Sequence, residues 1–140
     1  MNVKSRAVRI LGHLRNYRDL TSGTKDIPAW AMKLHLQEGE ELIGVYLNRP
    51  EDVEESIVVT TKGLYVDRNG RWEFVGYAEI KFIETPADKQ TVDRLRLHLW
   101  NGRVTEIPVR GSYDRFKDAF EFLRFLDRVI SDLECAKHRY

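Results

Sequence analysis

From residue 40 onward the apolar positions fall into short runs separated by turn-forming residues. Glu41–Leu47 holds Leu42, Val45, Tyr46 and Leu47, Ser56–Thr61 is dominated by Ile57, Val58 and Val59, and Gly63 separates that run from Leu64-Tyr65-Val66. β-Branched and aromatic residues suit the pleated surface of a strand. Pro50, which has no N–H to give a ladder, marks the loop Asn48–Glu54. Asn69-Gly70 follows, the pair best suited to a two-residue hairpin in which both central residues need positive φ. The strand after it carries Trp72, Phe74, Val75 and Tyr77 and is apolar on parts of both faces; Ile80–Glu84 makes a further run. In Asp93–Trp100, Leu95, Leu97 and Leu99 alternate with Arg94, Arg96 and His98, the period of two of a half-buried strand. Asn101-Gly102 turns the chain, and Arg103–Arg110 returns with Thr105, Ile107 and Val109 on one face and Pro108 favouring an edge or a bulge. Seven strands in about 70 residues, joined by tight turns, predict an antiparallel barrel or sandwich.

The period then changes. Residues 114–134 place Phe116, Ala119, Phe120, Leu123, Leu126, Ile130 and Leu133 at helical spacing, with Ser112 or Asp114 as the cap. Phe122 and Val129 widen the stripe, and Phe125 lies roughly opposite Phe116 and Leu123, where it either meets the N-terminal segment or is exposed. At the other end, Val3, Ala7, Ile10, Leu14 and Tyr17 form a narrow stripe flanked by Lys4, Arg6, Arg9, Arg15 and Arg18, which reads as a basic amphipathic helix weakened by Gly12. Asp26 and Pro28 open a second helix through Ala29–Leu36, a reading favoured by the lack of β-branched residues; the alternation Trp30, Met32, Leu34, Leu36 also permits a strand. The expected class is mainly β (α+β). Residues 37–140 form a seven-stranded antiparallel barrel or sandwich capped by a C-terminal helix, and residues 1–36 form a basic helical extension.

Charge sharpens that division. The chain of 140 residues has a net charge of only +1, which removes the whole-molecule electrostatic argument for a nucleic-acid partner. Residues 1–36 nevertheless hold seven basic side chains against Asp19 and Asp26, a net of +5, and the remainder holds 16 basic against 20 acidic, a net of −4. The single cysteine, Cys135, forms no internal disulfide and fits a reducing compartment. No apolar stretch reaches the roughly 18–20 residues of a membrane span, and the start of the chain has no signal-peptide core, so a cytoplasmic protein is expected.

Three segments resemble bacterial pleckstrin-homology-like (PH-like) and GRAM-like domains. They are Gly39-Glu40-Glu41-Leu42-Ile43 at the start of a first strand, Ile57-Val58-Val59-Thr60-Thr61-Lys62-Gly63-Leu64-Tyr65-Val66 as a second and third, and Tyr77-Ala78-Glu79-Ile80-Lys81-Phe82-Ile83 beyond them. The resemblance spans residues 38–134. It implies a helix closing one end of a partly open barrel, with a sheet edge and helix groove available to a peptide. Relatives that bind phosphoinositides use basic residues around the first hairpin. Here that loop reads Asn48-Arg49-Pro50-Glu51-Asp52-Val53-Glu54-Glu55, four carboxylates against one arginine, which argues against that ligand.

No catalytic constellation stands out. His13, His35, His98 and His138 are far apart, Cys135 lies near the chain end, and there is no phosphate loop or nucleophile elbow. No cofactor or metal is expected. Trp72, Trp100, Tyr65 and Tyr77 interleave with Arg68, Arg71, Arg94, Arg96 and Arg103, a mixture that can stack bases but equally describes cross-strand pairs in which arginine stems cover rings. The expected function is a non-catalytic interaction or scaffold module with a protein partner. Its candidate residues are Lys4, Arg6, Arg9, Ile10, Leu14, Arg15 and Phe125. The basic segment either docks on the acidic body of its own domain or a twin subunit, or holds residues 1–20 on an anionic membrane surface as a peripheral adaptor. Surplus apolar residues on the C-terminal helix (Phe122, Phe125, Val129) point to an oligomer.

Overall fold

Each of the seven expected runs is a strand in the computed structural model, which describes residues 3–21, 29–32, 34–49, 54–86, 92–111 and 117–137. The elements run α1 (Val3–Ile10), β1 (Tyr17–Asp19), α2 (Ala29–Met32), β2 (Leu42–Tyr46), β3 (Ile57–Thr60), β4 (Gly63–Arg68), β5 (Arg71–Gly76), a 3₁₀ turn (Tyr77–Glu79), β6 (Ile80–Ile83), β7 (Arg94–Leu99), β8 (Val104–Pro108) and α3 (Lys117–Lys137). They build two antiparallel sheets, β1-β2-β3-β4-β5 and β6-β7-β8. The proposed caps of α3, Ser112 and Asp114, and its first stripe residue, Phe116, lie outside the described residues.

Three expectations are corrected. The described strands number eight, because the basic segment contributes β1, which pairs with β2 through Tyr17↔Tyr46, Arg18↔Val45 and Asp19↔Gly44. The N-terminal helix stops at Ile10, where Leu11 and Gly12 both donate to the Ala7 carbonyl, rather than running on to Tyr17. The approach of β1 to β2 depends on Gly44, where a Cβ would overlap the Tyr17 hydroxyl. Finally, the described strands close no barrel. Side chains join the sheets where a ladder would. Buried Asn48 donates to the carbonyls of Glu55 (2.6 Å) and Pro108 (2.7 Å) and accepts from the Arg110 N–H (2.7 Å). Arg68 donates to the Glu106 carbonyl, so the outer edge of β8 is capped from the other sheet.

The two Asn-Gly turns differ. Asn69 and Gly70 both have positive φ (55° and 88°), as a two-residue hairpin requires. In the second, Gly102 is left-handed (φ 90°) and Asn101 is not, and Leu99 donates to the Arg103 carbonyl, giving the three-residue loop Trp100-Asn101-Gly102. Trp100 therefore sits in a turn and is 60% exposed.

One continuous core joins Val3, Ala7, Ile10 and Leu14 of the N-terminal segment to the inner faces of both sheets and to α3. α3 packs on α1, β6, β7 and the 3₁₀ turn, which is why it buries more than a single stripe. Phe122, Phe125 and Val129 are fully buried within the chain, so the apolar surplus that pointed to an oligomer is absorbed by the fold. A second, separate cluster lies on the outer face of the five-stranded sheet. There Trp30, Leu34 and Leu36 lie among the residues around Val45, Val58, Tyr65, Trp72 and Phe74.

Candidate functional site

The corner between the sheets is made by the 3₁₀ turn. Gly76 donates to the Glu79 carboxylate (3.1 Å), Tyr77 donates to the Lys62 carbonyl (3.1 Å), and the Trp100 N–H donates to the Glu79 carbonyl (3.0 Å). The C-terminal part of α3 crosses this corner and leaves two hollows that meet at Tyr77, Ala78 and Leu133. One, of about 330 Å³, is lined by Ile80, Trp100, Ile130 and Glu134 in addition to those three. The other, of about 390 Å³, runs past Phe74 and Gly76 toward Gln37 and Lys62. Together they form an apolar groove with charged side chains (Lys62, Glu79, Glu134) among its lining. The Lys81 ammonium lies 5.6 Å from the centre of the Trp100 ring.

The floor is rigid. Tyr77 meets Phe125 edge-on at 6.0 Å and donates its hydroxyl to the Thr60 carbonyl (2.8 Å). Behind it the buried Glu40 carboxylate accepts from the hydroxyls of Thr60 (2.6 Å) and Tyr65 (2.9 Å) and from the Gln37 N–H (2.7 Å). Burial, with Glu40 alongside, pushes the Tyr65 phenol up to about 12, and burial raises Tyr77 well above 10. These polar groups are spent on one another, and among the described residues no histidine or cysteine lines the groove. Among the described residues no cluster of three or more His, Cys, Asp or Glu side chains has the geometry to hold a metal ion. The lining of the groove is suited to burying apolar side chains.

The seven sequence-predicted residues do not form one surface. Lys4 pairs with Glu41 (2.6 Å), and Arg6 makes a two-pronged contact with Asp132 of α3 (3.1 and 3.2 Å). Ile10, Leu14 and Phe125 are core residues, while Arg9 and Arg15 are exposed. The basic segment thus docks on its own acidic body. His98 points outward as its alternation requires, stacks on Phe82 at 4.2 Å and reaches Glu84 at 3.0 Å; its hydrogen bond holds the Glu84 carboxyl below the usual range. Cys135 is exposed, and His138 lies outside the described residues, as do Glu51 and Asp52 of the acidic loop. Glu54 of that loop faces Arg49 (3.5 Å), and Glu55 pairs with Arg110 (2.6 Å), a partner invisible from the local sequence. The aromatic–basic set is dispersed. Tyr65 and Trp72 belong to the outer cluster of one sheet, Tyr77 is core, Trp100 is at the groove, and Arg68, Arg94 and Arg96 face Glu73, Glu106 and Glu84.

Ala78 and Leu133 carry no sequence signal as groove residues, whereas bulky Trp100 just before Asn-Gly is a usable one. Compared with family models, with curated proteins and with solved structures, the chain matches none.

Proposed function

We propose that the chain is a non-catalytic PH-like interaction module whose partner presents a peptide segment to the groove between the 3₁₀ turn and α3. The order of β2–β8 followed by α3 agrees with the resemblance read from the sequence. The observation that carries the reading is Trp100, an exposed indole beside an apolar hollow of about 330 Å³ that also takes Ile130 and Leu133. Aromatic anchors next to a desolvated pocket are the usual centre of a protein interface. The test is to pan a phage-displayed random peptide library against the purified chain. Enriched peptides should carry a bulky apolar residue and should bind Trp100→Ala at least tenfold more weakly, with the melting temperature little changed. An absence of enrichment, or binding indifferent to Trp100, contradicts the proposal.

The peripheral-membrane alternative requires Val3, Ala7, Ile10 and Leu14 to leave the core they share with α3. The docked arrangement therefore favours the protein-interaction reading. It predicts that the intact chain does not sediment with phosphatidylserine-containing vesicles; sedimentation that disappears on removing residues 1–20 would favour the adaptor.

A further inference from the structure

A second surface adjoins the groove at Phe74 and faces the other way across the five-stranded sheet. The outer face of the five-stranded sheet is apolar where such a face is usually wet. β3 is buried at every position, and Val58, Val45 and Tyr65 are covered by the segment around α2. The contact is led by Trp30, whose ring stacks on Trp72 at 5.6 Å and 13°, and is continued by Ala31, Leu34 and Leu36. Three features mark this segment as a strap, distinct from the main core. Its apolar residues belong to a cluster separate from the one that unites the two sheets and α3. Among the described residues, no hydrogen bond joins positions 29–36 to the sheet; the bond from Leu34 N–H to the Ala31 carbonyl (3.3 Å) stays inside the segment. Both ends are fastened by bonds that do not use the strap's apolar side chains. Before it, Leu20 donates to the Ile43 carbonyl (2.8 Å) and Thr21 to the Asp19 carboxylate (2.9 Å); after it, Gln37 is held by Glu40 (2.7 Å). A four-residue helix has no stability of its own, so side-chain contact with the sheet is what keeps α2 in place.

We propose that this sheet face is a docking surface which residues 29–36 occupy as an internal ligand. A partner protein takes it by laying down a short helical segment of the same chemistry, a tryptophan followed by leucines, while Trp30, Leu34 and Leu36 leave the sheet. The tethered strap competes at high effective concentration. The intact chain therefore binds such a segment weakly, in proportion to the fraction of molecules whose strap is open.

The probe is a fluorescein-labelled synthetic peptide of residues 26–38, titrated against the full chain by fluorescence anisotropy. Trp30→Ala/Leu34→Ala, which weakens the strap, should bind it at least tenfold more tightly than wild type. Adding Trp72→Ala, which removes the ring that Trp30 stacks on, should abolish the gain. Equal binding by wild type and the double variant, no binding by a folded double variant, or a gain indifferent to Trp72 would overturn the proposal. Leu34→Ala alone provides the same comparison if the double variant loses its native circular dichroism. Loss of fold in both variants would also count against the proposal, because the strap would then be part of the folding core.

Discussion

Tyr17 carries an unusual buried group. Its ring joins the main core, yet its hydroxyl has no hydrogen-bond partner among the described residues, whereas Tyr46 donates to Asp118 (2.6 Å), Tyr65 to Glu40 and Tyr77 to the Thr60 carbonyl. Burying an unpaired hydroxyl is costly. Tyr17→Phe is therefore expected to raise stability by about 1 kcal/mol in urea denaturation. The paired phenols also set the alkaline limit. Burial first, then neighbouring carboxylates, raises Tyr46 and Tyr65 above the ordinary value of 10, and burial dominates at Tyr77 as well. A raised folded pKa means that the protonated form is favoured by the fold. Its contribution is complete below pH 10 and is lost as pH rises toward the folded values, about 12 for Tyr65. The melting temperature should hold steady up to about pH 9 and fall progressively above 10; Tyr65→Phe should make that fall shallower, and an unchanged slope would contradict the assignment.

The strands were legible because their signals are local: alternation in β7, β-branched residues in β3 and Asn-Gly turns at both hairpins. β1 was not. It is three residues long, and Leu14 and Tyr17 continue the helical stripe of α1 by spacing alone, so a helix followed by a strand reads as one longer helix. For Phe125 the spacing offered two readings, contact with the N-terminal segment or exposure, and it is fully buried in the core shared with α1. A helical wheel assigns one buried side, but α3 has α1 as well as the sheets as neighbours. The groove was only partly legible, since Trp100, Ala78 and Leu133 are brought together by long-range topology. Because α1 is structural, Ile10→Ala should cost about 2–5 kcal/mol, while Val8→Ala, 46% exposed on the same helix, should stay within about 0.5 kcal/mol. Equal, small effects in chemical denaturation would mean that α1 is not docked in solution.

Across the molecule, the opposed charges of the two segments of the chain meet. The +5 N-terminal segment reaches the −4 remainder through Lys4–Glu41 and Arg6–Asp132, while its apolar stripe enters the common core. The two sheets are held by Asn48 in place of a closing ladder. Asn48→Ala removes three hydrogen bonds at one buried point and should cost about 1–3 kcal/mol. An apolar groove lies at the corner between the sheets, and we propose that a peptide is recognised there. The most direct test is hydrogen exchange of the wild-type chain with and without a peptide enriched by panning. Slowed exchange is expected in Gly76–Ile83 and around Ile130–Leu133, with β2–β4 and α1 unchanged. Slowing confined to α1 or to the outer face of β2–β4 would contradict it.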